Sequence, residues 1–381
     1  MKYKLSDLFE LQMGKTPDRS QKKYWDNGIK DWISIADISG CDKYICNTKE
    51  KISVVAEKET GIKIIPKNTV IMSFKLSIGK VAITSKGMYS NEAIMAFIDK
   101  KVEEIDKEYL YYMFSGMNWD TGTNKAVMGK TLNKATLSQQ KIKLHSAIEQ
   151  AKIVKNLKVL TDVINMRRQQ LLALNNLIKS RFVEMFGDPV SNPKRWRMLL
   201  LENLGELNRG ISKHRPRNAP ELLGGNYPLI QTGEVANSDT YIKEYISTYS
   251  EMGFKQSRMW SKGTLCITIA ANIAKTAILD FDACFPDSIV GFVPNKKANQ
   301  LFIHYWFSFF QEMLEAQAPE SAQKNINLQI LRGLKVIAPP IELQNQFADF
   351  VQQVDKSKVA IQRSLDETQE LFDCLMQKYF G

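Results

Sequence analysis

The sequence LSDLFEL at residues 5–11 returns as LENLGEL at residues 201–207, a shift of 196 positions. Four further pairs keep nearly the same shift: KNTVIMSF at 67–74 with KGTLCITI at 262–269, IMAFI at 94–98 with IVGFV at 289–293, KTLN at 130–133 with KNIN at 324–327, and FG at 186–187 with FG at 380–381. Matches that keep one order and one spacing along a chain indicate an internal repeat. The sequence therefore predicts two copies of one structural plan.

Each copy begins with a segment that alternates short β-rich runs with helical patterns. In the first copy, residues 69–74 have the composition of a strand and residues 107–115 the spacing of a helix. The second copy repeats these patterns at residues 264–269 and 301–315. We expect a globular domain of mixed α/β or α+β packing in each copy.

A heptad pattern without Pro or Gly follows each globular segment for about 35 residues, which predicts two helices of about 50 Å. The side chains expected to pair the helices are Leu157, Leu160, Ile164, Leu171, Leu174 and Ile178 in the first and Val351, Val354, Ile361, Leu365, Phe372 and Leu375 in the second. The polar side chains in these seams are Arg167 and Arg181 in the first helix, Lys358 and Thr368 in the second. Because they interrupt the two seams at different levels, they favour pairing in one register over packing of each helix on its own domain.

The first helix must deliver the chain to the second globular domain, so an antiparallel pair with a domain at either end is the simplest arrangement. We therefore expect an α/β (α+β) fold with internal pseudo-two-fold duplication: two similar globular domains separated by two long antiparallel coiled-coil helices. The predicted boundaries are 1–145 for the first domain, 146–187 for the first helix, 188–340 for the second domain with a linker at 188–196, and 341–381 for the second helix.

Composition and charge indicate which partner and which cellular location to expect for the protein. The chain has 52 Lys and Arg against 41 Asp and Glu, a formal net charge of +11 over 381 residues. Such an excess favours a polyanionic partner, of which nucleic acid is the most common. No run of 18 apolar residues occurs, and the opening MKYKLSDLFE lacks the apolar centre of a signal peptide, so we expect a cytoplasmic protein without membrane contact.

Motifs for catalysis and cofactors are weak. Gly-Lys-Thr occurs at 14–16 and 129–131, but a phosphate-binding loop needs a glycine five positions earlier, where Phe9 and Asn124 stand. Five scattered cysteines and three histidines support neither a zinc site nor a Ser-His-Asp arrangement. An adenine methyltransferase would be expected to carry an Asn/Asp-Pro-Pro-aromatic motif. The sequence has one Pro-Pro pair, Pro339-Pro340, which is preceded by Ala338 and followed by Ile341. We therefore expect no catalytic residue, metal or cofactor.

Candidate DNA contacts lie in polar, basic loops at equivalent places in both copies. In the first they are Lys15, Thr16, Arg19, Lys22, Lys23, Lys75, Ser77, Lys80, Lys125, Lys130 and Asn133. In the second they are Lys213, His214, Arg215, Arg217, Asn272, Lys275, Gln323, Lys324 and Asn325. Arg suits guanine and Asn or Gln suits adenine, whereas Lys suits phosphates. For any single residue an ordinary surface charge is an equal alternative.

Three motifs resemble the specificity subunit of type I restriction-modification systems. They are GKTP at 14–17 with YW at 24–25 and WISI at 32–35, then FGDP at 186–189 with NPKRW at 192–196, and APPIELQ at 338–344. The resemblance covers the whole chain. It implies a non-catalytic subunit in which each target recognition domain reads one half of an asymmetric bipartite DNA target. It also implies that the helices set the gap and dock two methyltransferase subunits, with two ATP-dependent restriction subunits as optional partners.

Two alternatives remain open from the residues. A coiled-coil scaffold that joins proteins would need the helices but no DNA contact. A stand-alone DNA-modifying enzyme would need a catalytic site that the sequence does not reveal.

Overall fold

The computed structural model describes residues 2–75, 77–119, 124–126, 129–270, 273–316 and 326–381, with the backbone alone at 124–126, 129–131 and 312–316. The chain forms two compact units. Unit 1 combines Met1–Arg168 with Arg363–Gly381, and unit 2 is Gln169–Gln362. Each unit therefore contains a globular part and a portion of both long helices.

Unit 1 has a five-stranded sheet of order β2-β9-β6-β7-β4, in which only β7 and β4 are parallel neighbours, and a three-stranded sheet of order β5-β3-β8. Strands β1 and β12 pair separately, as do β10 and β11. Its elements are β1 (Lys2–Lys4), α1 (Leu5–Leu8), β2 (Phe9–Met13), α2 (Lys22–Trp25), β3 (Lys30–Ile33), α3 (Ile35–Gly40), β4 (Tyr44–Ile45), β5 (Glu50–Ile52), α4 (Val54–Thr60), β6 (Val70–Ser73), β7 (Val81–Thr84), β8 (Tyr89–Ser90), β9 (Ile94–Asp99), α5 (Lys107–Gly116), β10 (Asn124–Ala126), β11 (Gly129–Thr131), α6 (Lys134–Gln139), β12 (Lys141–Lys143) and the first part of α7 (Ala147–Phe186).

Unit 2 has a five-stranded sheet of order β14-β22-β19-β20-β16, a four-stranded sheet of order β17-β15-β21-β18, and a separate pair, β13 with β23. Its elements are β13 (Met198–Leu200), β14 (Gly205–Arg209), β15 (Leu223–Leu229), α8 (Thr232–Asn237), β16 (Tyr241–Ile242), β17 (Ser247–Tyr249), α9 (Glu251–Lys255), β18 (Met259–Trp260), β19 (Leu265–Thr268), β20 (Thr276–Leu279), β21 (Ala283–Cys284), β22 (Ile289–Pro294), α10 (Gln300–Ala316), α11 (Leu328–Arg332), β23 (Lys335–Ile337) and α12 (Ile341–Phe380), whose last part belongs to unit 1.

The two units repeat one topology. Strands β14, β22, β19, β20 and β16 occupy the places of β2, β9, β6, β7 and β4, and the register agrees, since Leu11 lies opposite Phe97 and Leu207 opposite Phe292. In both sheets the last two neighbours are parallel and the others antiparallel. The predicted duplication and the mixed α/β class are confirmed.

Aromatic side chains fill both cores. In unit 1, Phe97 of β9 meets Phe9 edge-on at 6.0 Å and Phe114 of α5 at 4.7 Å between ring centroids. Such edge-to-face contacts add to the burial of large apolar surfaces. Strands β6 and β7 are buried at every position, which explains their apolar, β-branched composition.

The two long helices lie side by side in each unit. In unit 1, Leu157 of α7 belongs to the core against which Phe372 and Leu375 of α12 pack, and Asn156 reaches the Tyr379 hydroxyl at 3.5 Å. The beginning of α7 therefore meets the end of α12. The pair is antiparallel, as the sequence predicts.

The same relation, with the helix ends exchanged, holds in unit 2. The rings of Phe182 and Phe186, near the end of α7, lie with their centroids 5.4 and 5.6 Å from that of Phe347, near the beginning of α12. Ile178, Val351 and Val354 complete this buried contact. Both helices thus contribute to the hydrophobic cores of both units.

The seam that the heptad pattern indicates corresponds to the inner faces of these helices. Among the expected pairing residues, the buried ones are Leu157, Ile164, Ile178, Val351 and Val354. The half-buried ones are Leu160, Leu171, Leu174, Ile361, Leu365, Phe372 and Leu375.

Two of the polar seam residues, Lys358 and Thr368, do not bind across the helix pair. Lys358 is buried, and its ammonium group pairs with Asp239, which follows α8, and lies 3.5 Å from Asp355 of its own helix. The Thr368 hydroxyl donates to the Ser364 carbonyl one turn earlier. Lys358 thus ties α12 to the globular part of unit 2, a contact that the heptad pattern does not reveal.

A buried glutamine in the first turn of each long helix joins that helix to its globular part. In unit 1, the side-chain amide of Gln150 donates to the carbonyls of Glu104 at 3.1 Å and His145 at 3.0 Å. Its oxygen accepts the backbone N–H of Asp106, which caps α5, at 2.9 Å. One side chain therefore satisfies three backbone groups from two segments.

Gln344 has the same role at the start of α12. It is 1% exposed, donates to Lys297 O at 3.1 Å and Pro339 O at 2.9 Å, and accepts from Asn299 N–H at 2.9 Å, directly before α10. Buried backbone groups that lack partners are costly, so this glutamine determines how the helix meets its globular part.

Replacing Gln344 by alanine should lower the free energy of unfolding by about 2 to 3 kcal/mol, because buried backbone groups lose their partners. Urea unfolding followed by circular dichroism measures the loss. The matched control is Gln352→Ala on the exposed face of the same helix, where a change within about 0.5 kcal/mol is expected. Equal losses in the two variants would contradict a clamping role for Gln344.

Candidate nucleic-acid interface

The opening loop of unit 1, residues 14–23, is fixed to the edge of the five-stranded sheet. The Gly14 N–H donates to the Ile94 carbonyl at 3.1 Å. A Cβ at position 14 would lie 2.1 Å from the carbonyl oxygen of Asn91, so only glycine allows this approach. The glycine of the Gly-Lys-Thr sequence therefore serves backbone packing.

Arg19 in this loop is engaged within the protein. Its guanidinium forms a bidentate ion pair with Glu50, with the second contact at 2.9 Å, and its Cζ lies 3.8 Å from the ring centroid of Trp25. These hydrogen bonds lower the pKa of Glu50 and raise that of Arg19. Trp25 in turn meets Trp32 edge-on at 5.1 Å, which completes the stack.

Three other predicted side chains of the opening loop also have protein partners. Their contacts are Lys15 Nζ to the Thr60 carbonyl at 2.5 Å, the Thr16 hydroxyl to Glu92, and Lys23 Nζ to Glu59 at 2.6 Å. Lys22 is exposed. All of these ion pairs and hydrogen bonds lie at the surface, where each contributes little to stability and can be exchanged.

The hairpin loop between β6 and β7 carries Lys75, Ser77 and Lys80. Its ends are closed by hydrogen bonds of Ser73, whose N–H donates to the Lys80 carbonyl at 2.9 Å and whose Oγ accepts the Lys80 N–H at 3.1 Å. Ser77 and Lys80 are exposed and Lys75 is half-buried. The fold therefore presents this loop to solvent.

Glu92 shows that the opening loop and the hairpin loop converge. Burial disfavours its ionised form, but the hydrogen bond from Thr16 and the positive charges of Lys75 and Arg19 outweigh burial and lower its pKa. The backbone places both loops beside Glu92, since the Lys15 N–H donates to the Ser90 carbonyl at 2.8 Å and the Phe74 N–H donates to the Ala93 carbonyl at 2.9 Å.

The third predicted segment joins the same edge through its backbone. The Leu132 N–H donates to the Phe74 carbonyl at 3.0 Å, next to the hairpin loop. Asn133 caps helix α6 by accepting from Thr136 N–H at 2.7 Å. Lys125 and Lys130 lie opposite each other in the β10–β11 hairpin, and their side chains lie outside the described part of the chain.

Unit 2 holds its opening loop, residues 210–217, in the same way. The Gly210 N–H donates to the Ile289 carbonyl at 2.9 Å, and a Cβ there would lie 2.2 Å from the Phe285 carbonyl oxygen. The backbone N–H groups of Lys213 and His214 donate to the side chain of Gln256. The path of the loop is therefore determined by its backbone, and the Lys213 side chain is exposed.

Asp287 takes the place of Glu92 in unit 2. Its carboxylate lies 2.5 Å from Arg217 and 3.4 Å from Arg215. Arg215 also donates to the carbonyls of Ser212 at 2.6 Å and His214 at 2.8 Å. In each unit an acidic residue at the equivalent position thus binds a side chain of the opening loop, the Thr16 hydroxyl in unit 1 and the guanidinium groups of Arg215 and Arg217 in unit 2.

Of the remaining predicted residues of unit 2, Lys275 lies in the described part of the chain and four others do not. Lys275 closes the hairpin loop of this unit, where its N–H donates to the Thr268 hydroxyl at 3.1 Å. Asn272, Gln323, Lys324 and Asn325 lie outside the described residues.

Glu92 and Asp287 are the residues that the sequence-based list of contacts misses. They stand two positions before the repeated runs that begin at Ile94 and Ile289. The sequence signal for these two residues is an acidic side chain that both copies keep at the shift of 195, in a stretch where the neighbouring residues differ. Basic and amide side chains alone do not indicate these two positions.

The chemistry of these surfaces is that of charge and hydrogen bonding. Within the described residues, no group of three His, Cys, Asp or Glu side chains could hold a metal ion. No helix in the same part of the chain has an apolar stretch long enough to cross a membrane. Exposed Lys, Arg and amide groups around a carboxylate can bind phosphates and base edges.

Comparison with known proteins places the two copies in one family. The family model described as type I restriction modification DNA specificity domain matches residues 1–176 and again 193–370. The specificity subunit of the type I restriction enzyme MjaIX of Methanocaldococcus jannaschii is 23% identical over 404 aligned positions, which cover 98% of this chain and 91% of that protein.

Two solved structures share the fold. The type I restriction-modification S subunit of M. genitalium superposes with a TM-score of 0.59 at 14% identity, over 100% of this chain and 96% of that one. A chain from work on complex assembly and conformational transition of the type I R-M system gives 0.61 at 16% identity, over 100% and 97%. With the family model matched over both halves, the chain belongs to the type I restriction-modification specificity subunits.

Proposed function

We propose that the chain is the non-catalytic DNA-reading subunit of a type I restriction-modification complex. In this proposal, residues 1–145 and 188–340 are target recognition domains that each read one half of an asymmetric bipartite target. The observation that carries it is that Glu92 and Asp287, at equivalent positions of the two copies, each bind a side chain of the opening loop, Thr16 and Arg217, in a chain of this family. Because the two opening loops differ in their side chains, the two half-sites should differ in sequence.

The two long helices position the partner subunits. Segments 146–187 and 341–381 set the gap between the half-sites and dock two methyltransferase subunits, which transfer the methyl group to adenine. Two restriction subunits can join this core. The continuity of α7 and α12 over 40 residues each supports a spacing role, because a helix transmits a fixed rise of 1.5 Å per residue.

Exchanging residues 1–145 for the corresponding domain of another family member should replace one half of the methylated motif and leave the other half unchanged. The reason is that Glu92 and Asp287 each bind residues of their own unit. Sequencing of methylated adenines in cells that carry the chimaera together with the methyltransferase provides the measurement. The reciprocal exchange of residues 188–340 is the matched control, and a change in both halves or in neither would contradict the assignment.

Inserting seven residues into each long helix should widen the gap in the motif by about three base pairs, since seven residues add about 10.5 Å. A full heptad keeps the phase of the apolar seam. The insertions belong at the boundaries of the units, after Arg168 and after Gln362. An insertion in α7 alone shifts the seam against α12 and should abolish modification, whereas an unchanged gap in the double variant would remove the spacing role.

A coiled-coil scaffold without DNA contact is the rival function, and salt dependence separates the two. Binding of the complex with its methyltransferase to duplex DNA should weaken steeply as salt rises, because each phosphate contact releases about 0.9 counterion. Replacing the exposed residues Lys22 and Lys80 together should reduce the slope of log K against log salt by about 2. A flat slope for the unmodified complex would favour the scaffold.

A further inference from the structure

The two units use their opening-loop arginines differently. In unit 1, Arg19 is bound by both oxygens of Glu50 and stacked on Trp25. In unit 2, Arg217 is exposed, and among the described residues Asp287 is its one ion-pair partner, through Nη2 at 2.5 Å. The Nη1 and Nε groups of Arg217 have no partner in that part of the chain. They are available to a ligand.

Asp287 is itself held in place from both sides. Its carbonyl oxygen accepts from Arg209 Nε at 2.9 Å and Nη2 at 2.7 Å. Its carboxylate also meets Arg215, which is bound to two loop carbonyls. The ion pair limits the positions that the Arg217 guanidinium can take, so less side-chain entropy is lost when that group binds.

A recess of about 320 Å³ lies beside Arg217. Its lining includes the polar residues Asn218, Gln231, Thr232 and Ser288 and the apolar residue Leu229. The recess is large enough for the edge of a nucleobase and offers amide and hydroxyl groups beside the guanidinium.

Comparison with unit 1 explains the recess. Leu229 pairs with Cys284 in the parallel ladder of β15 with β21, at the position where Trp32 pairs with Tyr89 in the ladder of β3 with β8. Trp32 is 2% exposed and fills that position together with Trp25. The smaller leucine leaves space next to the opening loop of unit 2.

We propose that Arg217, oriented by Asp287, reads a guanine in the half-site of unit 2, with the recess taking the edge of that base pair. This inference rests on the proposed function and names one of its specificity-determining residues. Arginine binds the O6 and N7 of guanine through two parallel N–H donors in the major groove. Nη2 of Arg217 carries two N–H groups, so one of them remains beside Asp287 and forms such a pair with an N–H of Nη1.

A base contact explains the carboxylate better than a phosphate contact does. Attraction to a phosphate depends on positive charge, which Asp287 partly cancels. Recognition of a base edge depends on the position and direction of the guanidinium, which the ion pair with Asp287 restricts. The pairing of Arg217 with Asp287 therefore suits discrimination between bases.

The test uses the complex with its methyltransferase and duplexes that carry the motif found by sequencing methylated adenines. Arg217→Ala should lose discrimination at one guanine of the unit 2 half-site by about 5- to 150-fold and keep it elsewhere. Replacing that guanine by 7-deazaguanine, which lacks N7, should weaken binding of the unaltered protein and have no further effect on Arg217→Ala. Arg217→Lys should keep the slope against salt but lose the discrimination.

Two variants serve as comparisons. Asp287→Asn removes the charge that orients Arg217 and should lower discrimination at the same guanine without weakening binding to unrelated duplexes. Lys213→Ala removes an exposed cation of the same loop and should weaken binding to all sequences alike. Thermal unfolding should be the same for Arg217→Ala and Lys213→Ala, because both side chains are exposed.

Two results would overturn the assignment: a unit 2 half-site without guanine, or an Arg217→Ala complex that binds all sequences with equally reduced affinity. These differ from failure of the proposed function. In that case the unaltered complex would show no sequence preference, and exchange of residues 188–340 would leave the motif unchanged.

Discussion

The contact on which each unit depends is a buried glutamine in the first turn of a long helix. Gln150 and Gln344 bind backbone groups from two segments of their own globular part, directly before α5 and α10. A buried amide that satisfies three backbone groups has one favourable geometry, because any tilt of the helix leaves a donor or acceptor unpaired. The apolar contacts of the helices tolerate small shifts, whereas these hydrogen bonds do not. The direction in which a helix leaves its globular part is therefore specified by a few polar atoms within a largely apolar interface.

Each unit separates a framework from the loops that it presents. Strand order, register and the two glycines at Gly14 and Gly210 are repeated, whereas the side chains around Glu92 and Asp287 are not. The framework is buried and tolerates few changes of volume, but the loops are exposed, so their side chains can change at little cost to stability. One difference between the units lies in the framework: Leu229 stands in unit 2 where Trp32 stands in unit 1. This position adjoins the opening loop, so the change in side-chain size alters the shape of the surface.

The fold could be predicted from the sequence where the signal was periodic. The heptads of α7 and α12 and the constant shift between copies indicate two mixed domains with an antiparallel helix pair, and the structure confirms this fold class. Contacts between distant positions could not be predicted: Arg19 with Glu50, Lys358 with Asp239 and Gln344 with Asn299 form only after the strands have brought these segments together. The heptad pattern explained Lys358 by the register of the helices, but its partner lies in the globular part. For the candidate site, the basic residues of the sequence indicated the loops. The carboxylates of Glu92 and Asp287, which those loops contact, could not be predicted because their charge has the opposite sign.

A carboxylate within each basic loop cluster has a consequence for recognition under the proposed function. Cations alone would bind any duplex, because phosphates are the same at every sequence. Glu92 and Asp287 repel phosphates and partly neutralise their neighbours, so affinity for unrelated DNA falls more than affinity for a site whose bases meet the remaining donors. The ion pair of Asp287 with Arg217 also limits the positions of that guanidinium, so a matching base can bind it with a smaller loss of side-chain entropy. Positive charge brings the duplex to the surface, and the carboxylates make the strength of binding depend on the sequence of the bases.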